Sequence, residues 1–452
     1  MNFRYVVIAV LAAICCVACE KNITVQNNLQ KGLTIQATTH NSAESATRTS
    51  FDGSKTYWVT GDVMTVMVGE SGSSAFSGDT FTCQDGAKGS FSNNDIKVIS
   101  ESEYDFYAVY PLSAVNCTDL SANITIGAAE QTQDGNNPNH IAQLDPLTGY
   151  VLNSHLNSVS IQMKHNAAVM AVKVVDGFAE SVAVKSLKIV AGSGIALCGT
   201  YDIDIASGEL SNATKTSNEV VVNVANATAI PQDGFVVYAA IAPCALPENA
   251  TLTFVITDTN NTEYEFTKKF VDGFNIVAGD LLSTSFNLAN AEAITYKPDF
   301  TTVPDGFPTT ATTQSEVIYY SFNGKKIGLW NNIGYSYDGE MKCIKFKSNG
   351  TDDNNVASFY IPNIDGYKLS VVEMYNGTTS HNMFKVSLYY NSDIVALNGA
   401  GQNEKKISGT NEISLIEPSV VDYIRVRAVG STKTYFCEGL LLKYVKPKIV
   451  KQ

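Results

Sequence analysis

The chain has 452 residues, room for about three domains of ordinary size, and its 44% hydrophobic and 17% charged residues belong to a chain that folds. A net charge of −13 with only 31 lysines and arginines leaves no basic field to neutralise phosphates, which excludes a nucleic-acid partner. The 22 tyrosines, 20 phenylalanines and 32 glycines, set among many Val, Ile and Thr, suit half-buried strands joined by turns, so an all-β protein is expected.

Met1-Asn2-Phe3-Arg4 precede an apolar run from Val6 to Ala18, thirteen residues where a bilayer span needs about 20, so residues 1–18 read as a signal peptide. Its end, Cys16-Val17-Ala18-Cys19, resembles the lipobox of bacterial lipoproteins, with Cys16 where Leu is usual. On that reading Cys19 becomes the acylated N-terminus, and the protein is held on the outer membrane, surface-exposed, by its lipid. The alternative is ordinary secretory cleavage with Cys19 incidental.

Residues 19–50 read as a polar tether carrying one alternating strand at 32–37. Residues 51–155 hold strand-like runs at 57–59, 63–68 and 104–110 and read as a first β-sandwich. A Gln/Asp/Asn/Pro-rich loop at 131–146 breaks the pattern. Period-two alternation resumes at 159–163, and strands at 168–175, 182–190, 219–224, 235–242 and 251–257 make 156–290 a second sandwich. From residue 298 to 452 the texture turns Tyr/Asn/Gly-rich. Runs at 341–347, 357–361, 367–374, 384–390, 422–428 and 435–444 suit a C-terminal jelly-roll-like sandwich that binds a ligand.

Past Cys15, Cys16 and Cys19, six cysteines remain, Cys83, Cys117, Cys198, Cys244, Cys343 and Cys437, two to each third of the chain. An even number outside the cytoplasm allows one bridge per domain, and equally allows six free core thiols. Among these six no CxxC pair or Cys/His cluster indicates a metal, and no cofactor is expected. The histidines, His40, His140, His155, His165 and His381, are scattered, and no HExxH, GxSxG, P-loop or dinucleotide fingerprint occurs, so no enzyme is expected. His165 reads as a polar residue opening a strand.

The only arginines are Arg4, Arg48, Arg425 and Arg427. An arginine-specific protease would find one early site, Arg48, in a linker ahead of the first domain; the other reading is a solvated arginine at a strand start. Arg425 and Arg427 alternate onto one strand face, where they could grip a sugar or carboxylate or pair with cross-strand acids. Trp330, with Tyr335, Tyr337 and Tyr360, could stack on sugar rings or pack in a core. Asp352, Asp353, Asn354 and Asn355 offer calcium-type oxygens without the spacing of a calcium loop.

Short motifs recur in order: Thr47-Arg48-Thr49-Ser50-Phe51, Tyr57-Trp58-x-x-Gly61-Asp62, Tyr104-Asp105-Phe106-Tyr107-x-x-Tyr110-Pro111, Glu130-Gln131-Thr132-Gln133-Asp134-Gly135 and His165-Asn166-Ala167-Ala168-x-x-Ala171-Val172. In this order behind a lipobox, residues 1 to about 290 resemble the fimbrillin-like family, lipid-anchored precursors of the pili called type V. The resemblance implies two tandem sandwiches and export as a lipoprotein. In polymerising members it implies proteolysis after an early arginine, whose lost strand leaves a groove for a neighbour's strand. The expected protein is thus a fimbrial subunit or adhesin lipoprotein whose partners are other fimbrial subunits, joined by β-strand addition, and host or bacterial glycans or proteins. The alternative is a cell-surface glycan-binding lipoprotein acting through its C-terminal sandwich. Beyond Pro298 no stalk-subunit motif is seen.

Overall fold

The computed structural model describes residues 29–39, 48–51, 56–99, 102–156, 159–177, 182–298, 300–310, 312–322, 325–338, 342–347, 356–375, 384–391, 393–395, 397, 405–407, 411–428 and 434–446. Among them the chain is nearly all β, as composition predicts, with one short α-helix at Ile141–Leu144.

The first sheet closes on itself as a barrel. Its order is Leu29–Thr39, Ser160–His165, Leu147–His155, Glu103–Tyr110, Val63–Glu70, Ser77–Asp85 and Ser90–Ile99, which pairs back to Leu29–Thr39. Alternation sends Met64, Val66, Phe81, Phe91, Phe106 and Ile161 into one core. The run from Tyr104 to Tyr110 is apolar on both faces for a reason: Tyr104, Phe106, Ala108 and Tyr110 point inward, while Tyr107 and Val109 pack outward on a second layer. That layer comprises Ala114–Asn116, Ser121–Ile126, Cys198–Asp204 and Leu210–Ser217. Strand pairing therefore crosses the boundary expected at 155/156, because Leu29–Thr39 needs Ser160–His165 to cover one of its edges.

The second unit is a sandwich. Phe235–Ile241, Ala168–Val175 and Leu281–Asn287 form one sheet, facing a sheet built from Glu130–Asp134, Glu219–Ala225, Val184–Ala191, Ala250–Asp258 and Thr262–Phe270. The segment expected as a loop at 131–146 thus contributes a strand and the helix. Its polarity has a structural cause. Gln131 donates from Nε2 to Ala240 O (2.7 Å) and accepts from Ala240 N (3.0 Å), and Gln133 does the same with Val236 O (2.9 Å) and Tyr238 N (2.9 Å). Two buried amides thereby satisfy backbone groups of Phe235–Ile241 that would otherwise lack a neighbouring strand.

The second sheet does not stop at the expected boundary. Ala293–Tyr296 pairs with Thr262–Phe270 on one side and with Gly439–Val445 on the other, and Lys368–Tyr375 and Asn411–Ser419 continue the same nine-stranded sheet. A second nine-stranded sheet, including Thr312–Phe322, Lys325–Asp338, Cys343–Lys347, Val356–Tyr360, Phe384–Tyr390, Tyr423–Ala428 and Thr434–Cys437, packs over this extension as the third unit's sandwich. One hydrophobic core runs from the second unit into the third.

Polar contacts fasten both junctions. Between barrel and second unit, buried Asp145 accepts from His165 Nδ1 (2.5 Å) and Ala167 N (3.0 Å), while Asn166 Nδ2 donates to Pro146 O (3.0 Å) and Thr148 Oγ1 (3.1 Å). His165 closes its strand and joins two units, a larger role than the sequence suggests. Between second and third units, Lys325 is buried beside Asp258 (3.9 Å), hydrogen-bonds Thr262 and lies 5.0 Å from the Tyr296 ring centroid.

Candidate functional site

Two features stand apart from plain packing: the strand that closes the barrel, and one outer face of the third unit. Leu29–Thr39 lies antiparallel to Ser90–Ile99 and parallel to Ser160–His165, so both its edges are paired. The parallel pairing joins segments more than 120 residues apart, which no local hairpin could produce. Leu33, Ile35 and Ala37 are inward and buried, while Thr34, Gln36 and Thr38 are exposed. Trp58, wholly buried, donates from Nε1 to Ala37 O (2.8 Å), pinning the strand's end. Gly32 has φ +87 at a bulge between Lys31 and Leu33, a conformation that glycine adopts without a Cβ penalty. Downstream, Arg48–Phe51 forms a small ribbon with Thr56–Tyr57, so Arg48 sits at the start of a strand. Cys19 lies outside the described residues, as do Asp352, Asp353, Asn354 and Asn355.

The second feature is built by register. Tyr319 pairs with Gly328, Gly328 with Tyr360, Tyr360 with Tyr423, and Tyr423 with Tyr389, a row crossing five strands on one face. Leu329, Phe359, Ile424 and Leu388 take the opposite face and fill the core. Two residues along, a second row reads Trp330, Ser358, Arg425, Ser387. A third pairs Arg427 with Val356 and Lys385. The Tyr389 and Tyr423 rings stack at 4.9 Å and 7°, Tyr360 continues the pile at 5.1 Å, and Arg425 Nη1 donates to Tyr389 OH (3.2 Å) with its Cζ 5.7 Å from that ring. Tyr319 leans over Gly328, where a Cβ would come within 2.9 Å of the Tyr319 and Tyr360 side chains, so only glycine lets the row close up. Burial, and then the neighbouring Tyr319 and Asp422, raise the Tyr360 pKa; burial followed by Tyr360 and Tyr389 raises that of Tyr423. Their hydroxyls therefore stay protonated and able to donate.

Of the sequence candidates, the structure brings Trp330 and Arg425 together, with Arg427 on the same strand. Tyr335 and Tyr337 go elsewhere. Tyr335 is fully buried, its hydroxyl 2.7 Å from that of Tyr320, and Tyr337 donates to Thr301 O (2.8 Å) while packing on the core. Both lie an odd number of residues from Trp330, which turns them to the inner face. Tyr319, Tyr389 and Tyr423 escaped sequence reasoning because their strands are far apart in the chain. The six cysteines, Cys83, Cys117, Cys198, Cys244, Cys343 and Cys437, are free thiols here. Four are buried and pack as small apolar side chains.

Comparison with known proteins gives a consistent picture. No curated protein matches the chain. A candidate cell adhesion protein from Bacteroides ovatus aligns with 16% identity over 57% of this chain and 93% of its own, TM-score 0.40. A second from Bacteroides uniformis gives 14%, 57%, 93% and 0.37. The tip fimbrial protein Mfa3 from Porphyromonas gingivalis, C-terminally truncated, gives 9%, 61%, 96% and 0.32. These TM-scores are low, so kinship rests on the family model instead. The model described as fimbrillin-like matches residues 45–318, more than half of the chain, from the Arg48 ribbon through the second sandwich, and the chain belongs to the fimbrillin-like family.

Proposed function

We propose that this protein is a surface fimbrial subunit or adhesin, lipid-anchored at Cys19 on the outer membrane, processed after Arg48 and assembled by strand exchange. The observation that carries the proposal is the closing strand. Leu29–Thr39 is the one barrel strand lying wholly ahead of Arg48, and it fills a slot between Ser90–Ile99 and Ser160–His165 with three inward side chains. Cutting after Arg48 converts it from a covalent part of the barrel into a bound peptide. Its departure would leave two unpaired edges over an apolar groove beside Trp58, the template that an incoming strand completes.

The place of Gly439–Val445 argues against its use as a donor strand. Gly439–Val445 is interior to its sheet, between Ala293–Tyr296 and Lys368–Tyr375, with Leu440 and Leu442 buried. Lending it to a neighbour would cost two ladders and about 1.5–3 kcal/mol for each leucine exposed. The subunit thus accepts a strand and does not donate this one.

The experiment is N-terminal sequencing of protein extracted from cell surfaces, with Arg48→Gln and Cys19→Ala variants. Processing predicts a start at Thr49 that Arg48→Gln abolishes together with incorporation into polymer. Anchoring predicts that Cys19→Ala releases the precursor from the membrane. A mature start at Cys19 in polymer-borne protein would overturn the processing step.

A further inference from the structure

We propose that the outer face of the third unit binds a carboxylate-bearing polysaccharide, with Arg425 taking the carboxylate and Trp330 and Tyr319 lying against the sugar rings. The inference goes beyond assembly, since a monomer that never polymerises would still bind.

The first argument is what the face cannot do. Val356–Tyr360 and Tyr423–Ala428 lie inside the sheet with both edges paired, so their backbone groups are spent and an incoming strand has nothing to join. Recognition there falls to side chains. The second argument is what those side chains are. Tyr319 is 62% exposed, and Trp330, Tyr360, Tyr423 and Arg425 are each partly exposed, whereas Ser358 and Ser387 are buried between them. The small serines make a low floor, with Trp330 on one side of Ser358 and Arg425 on the other, and the tyrosine pile forms a wall alongside. Aromatic bodies with hydroxyl and indole N–H tips suit a ligand that is apolar on ring faces and polar at its rim. A sugar has both surfaces, and a run of acidic residues offers no ring face.

Charge narrows the class further. The chain carries −13, yet two of its four arginines lie two residues apart on this strand, and Lys385 is the cross-strand partner of Arg427. Arg425 is held by Tyr389, its guanidinium hydrogen-bonded to the hydroxyl and over the ring, so one donor arm is fixed while others remain for a carboxylate. A row spacing of about 4.8 Å between strands gives a platform of roughly 15–20 Å across the tyrosine row, the span of a short oligosaccharide.

The test is affinity electrophoresis of uncleaved full-length protein in gels containing polygalacturonate, with dextran and poly-glutamate gels beside it. Retardation by polygalacturonate alone is expected, and Arg425→Gln and Trp330→Ala should each weaken it about tenfold or more, with Arg425→Lys intermediate. Unchanged melting curves verify folding; if Trp330→Ala fails to fold, Tyr319→Ala replaces it, because that ring is mostly in solvent. No retardation by polygalacturonate, equal retardation of the variants, or equal retardation by dextran overturns the proposal. Equal retardation by poly-glutamate overturns it in favour of an acidic peptide. Because the protein is uncleaved, failure here leaves strand exchange untouched.

Discussion

Ile35→Ala tests the closing strand directly. Ile35 is wholly buried at the centre of Leu29–Thr39, with Ile161 and Phe91 in the same barrel core. Removing its distal methyl and ethyl carbons should cost about 2–5 kcal/mol as lost burial plus cavity. In intact protein this lowers the urea midpoint. After cleavage following Arg48, the same energy acts on retention of a bound peptide. At about 1.4 kcal/mol per tenfold it weakens retention by roughly 30-fold to several thousand-fold. The assay is digestion with an arginine-specific protease, gel filtration, and mass spectrometry of the core fraction for the peptide ending at Arg48. Wild-type core should keep the peptide, and Ile35→Ala core should lose it. Thr34→Ala, at an exposed position, should behave as wild type within about 0.5 kcal/mol. If both variants release the peptide at the wild-type rate, or if Ile35→Ala leaves the urea midpoint unmoved, the strand is not what holds the barrel closed.

Lys325→Met should destabilise the chain by about 3–5 kcal/mol in urea, because it strands buried Asp258, and a Lys325→Met/Asp258→Asn double variant should regain most of that; equal loss in both refutes the pairing. Burial lowers the His165 pKa, but the charge and hydrogen bond of Asp145 outweigh it and leave it raised. Its stabilising contribution is therefore complete below the unfolded value of about 6.5 and fades as pH rises through the folded pKa, so the stability gap between wild type and His165→Gln should shrink over that range. A pH-independent gap in urea titrations would contradict this. Burial pushes the thiols of Cys83 up to about 11 and of Cys343 up to about 12, so native protein at pH 8 should resist iodoacetamide at both while urea-unfolded protein reacts, and a mass corresponding to a bridged pair would refute free thiols. A fragment beginning at residue 298 should unfold at lower urea than the same region in the full chain, since it leaves Gly439–Val445 without Ala293–Tyr296; identical midpoints would show that the shared sheet adds nothing.

Much of this was legible in the sequence because alternation reports one thing well, which face of a strand is buried. Thr251 to Thr257 falls where its alternation places it, while Tyr104 to Tyr110 and Ala168 to Val175, apolar on both faces, were legible as strands from length and composition. Gln131 and Gln133 misled because a buried amide bonded to a neighbouring strand has the composition of a loop. Strand partners far apart in the chain leave no local trace. Neither the parallel seam of Leu29–Thr39 nor the sheet shared through Ala293–Tyr296 could be read, and domain limits drawn from texture were crossed at both places. The ligand face was half legible. Trp330 and Arg425 announce themselves by rarity, whereas three of the four tyrosines that wall them in are ordinary strand residues until the register aligns them.

The sheet shared by the second and third units has a mechanical consequence. Units on a loose linker swivel independently, so a load pulling on one merely extends the tether. Here parting the units means stripping Ala293–Tyr296 from Gly439–Val445, opening a continuous core and exposing Lys325. A load on the tyrosine face would reach the second sandwich through a stiff lever.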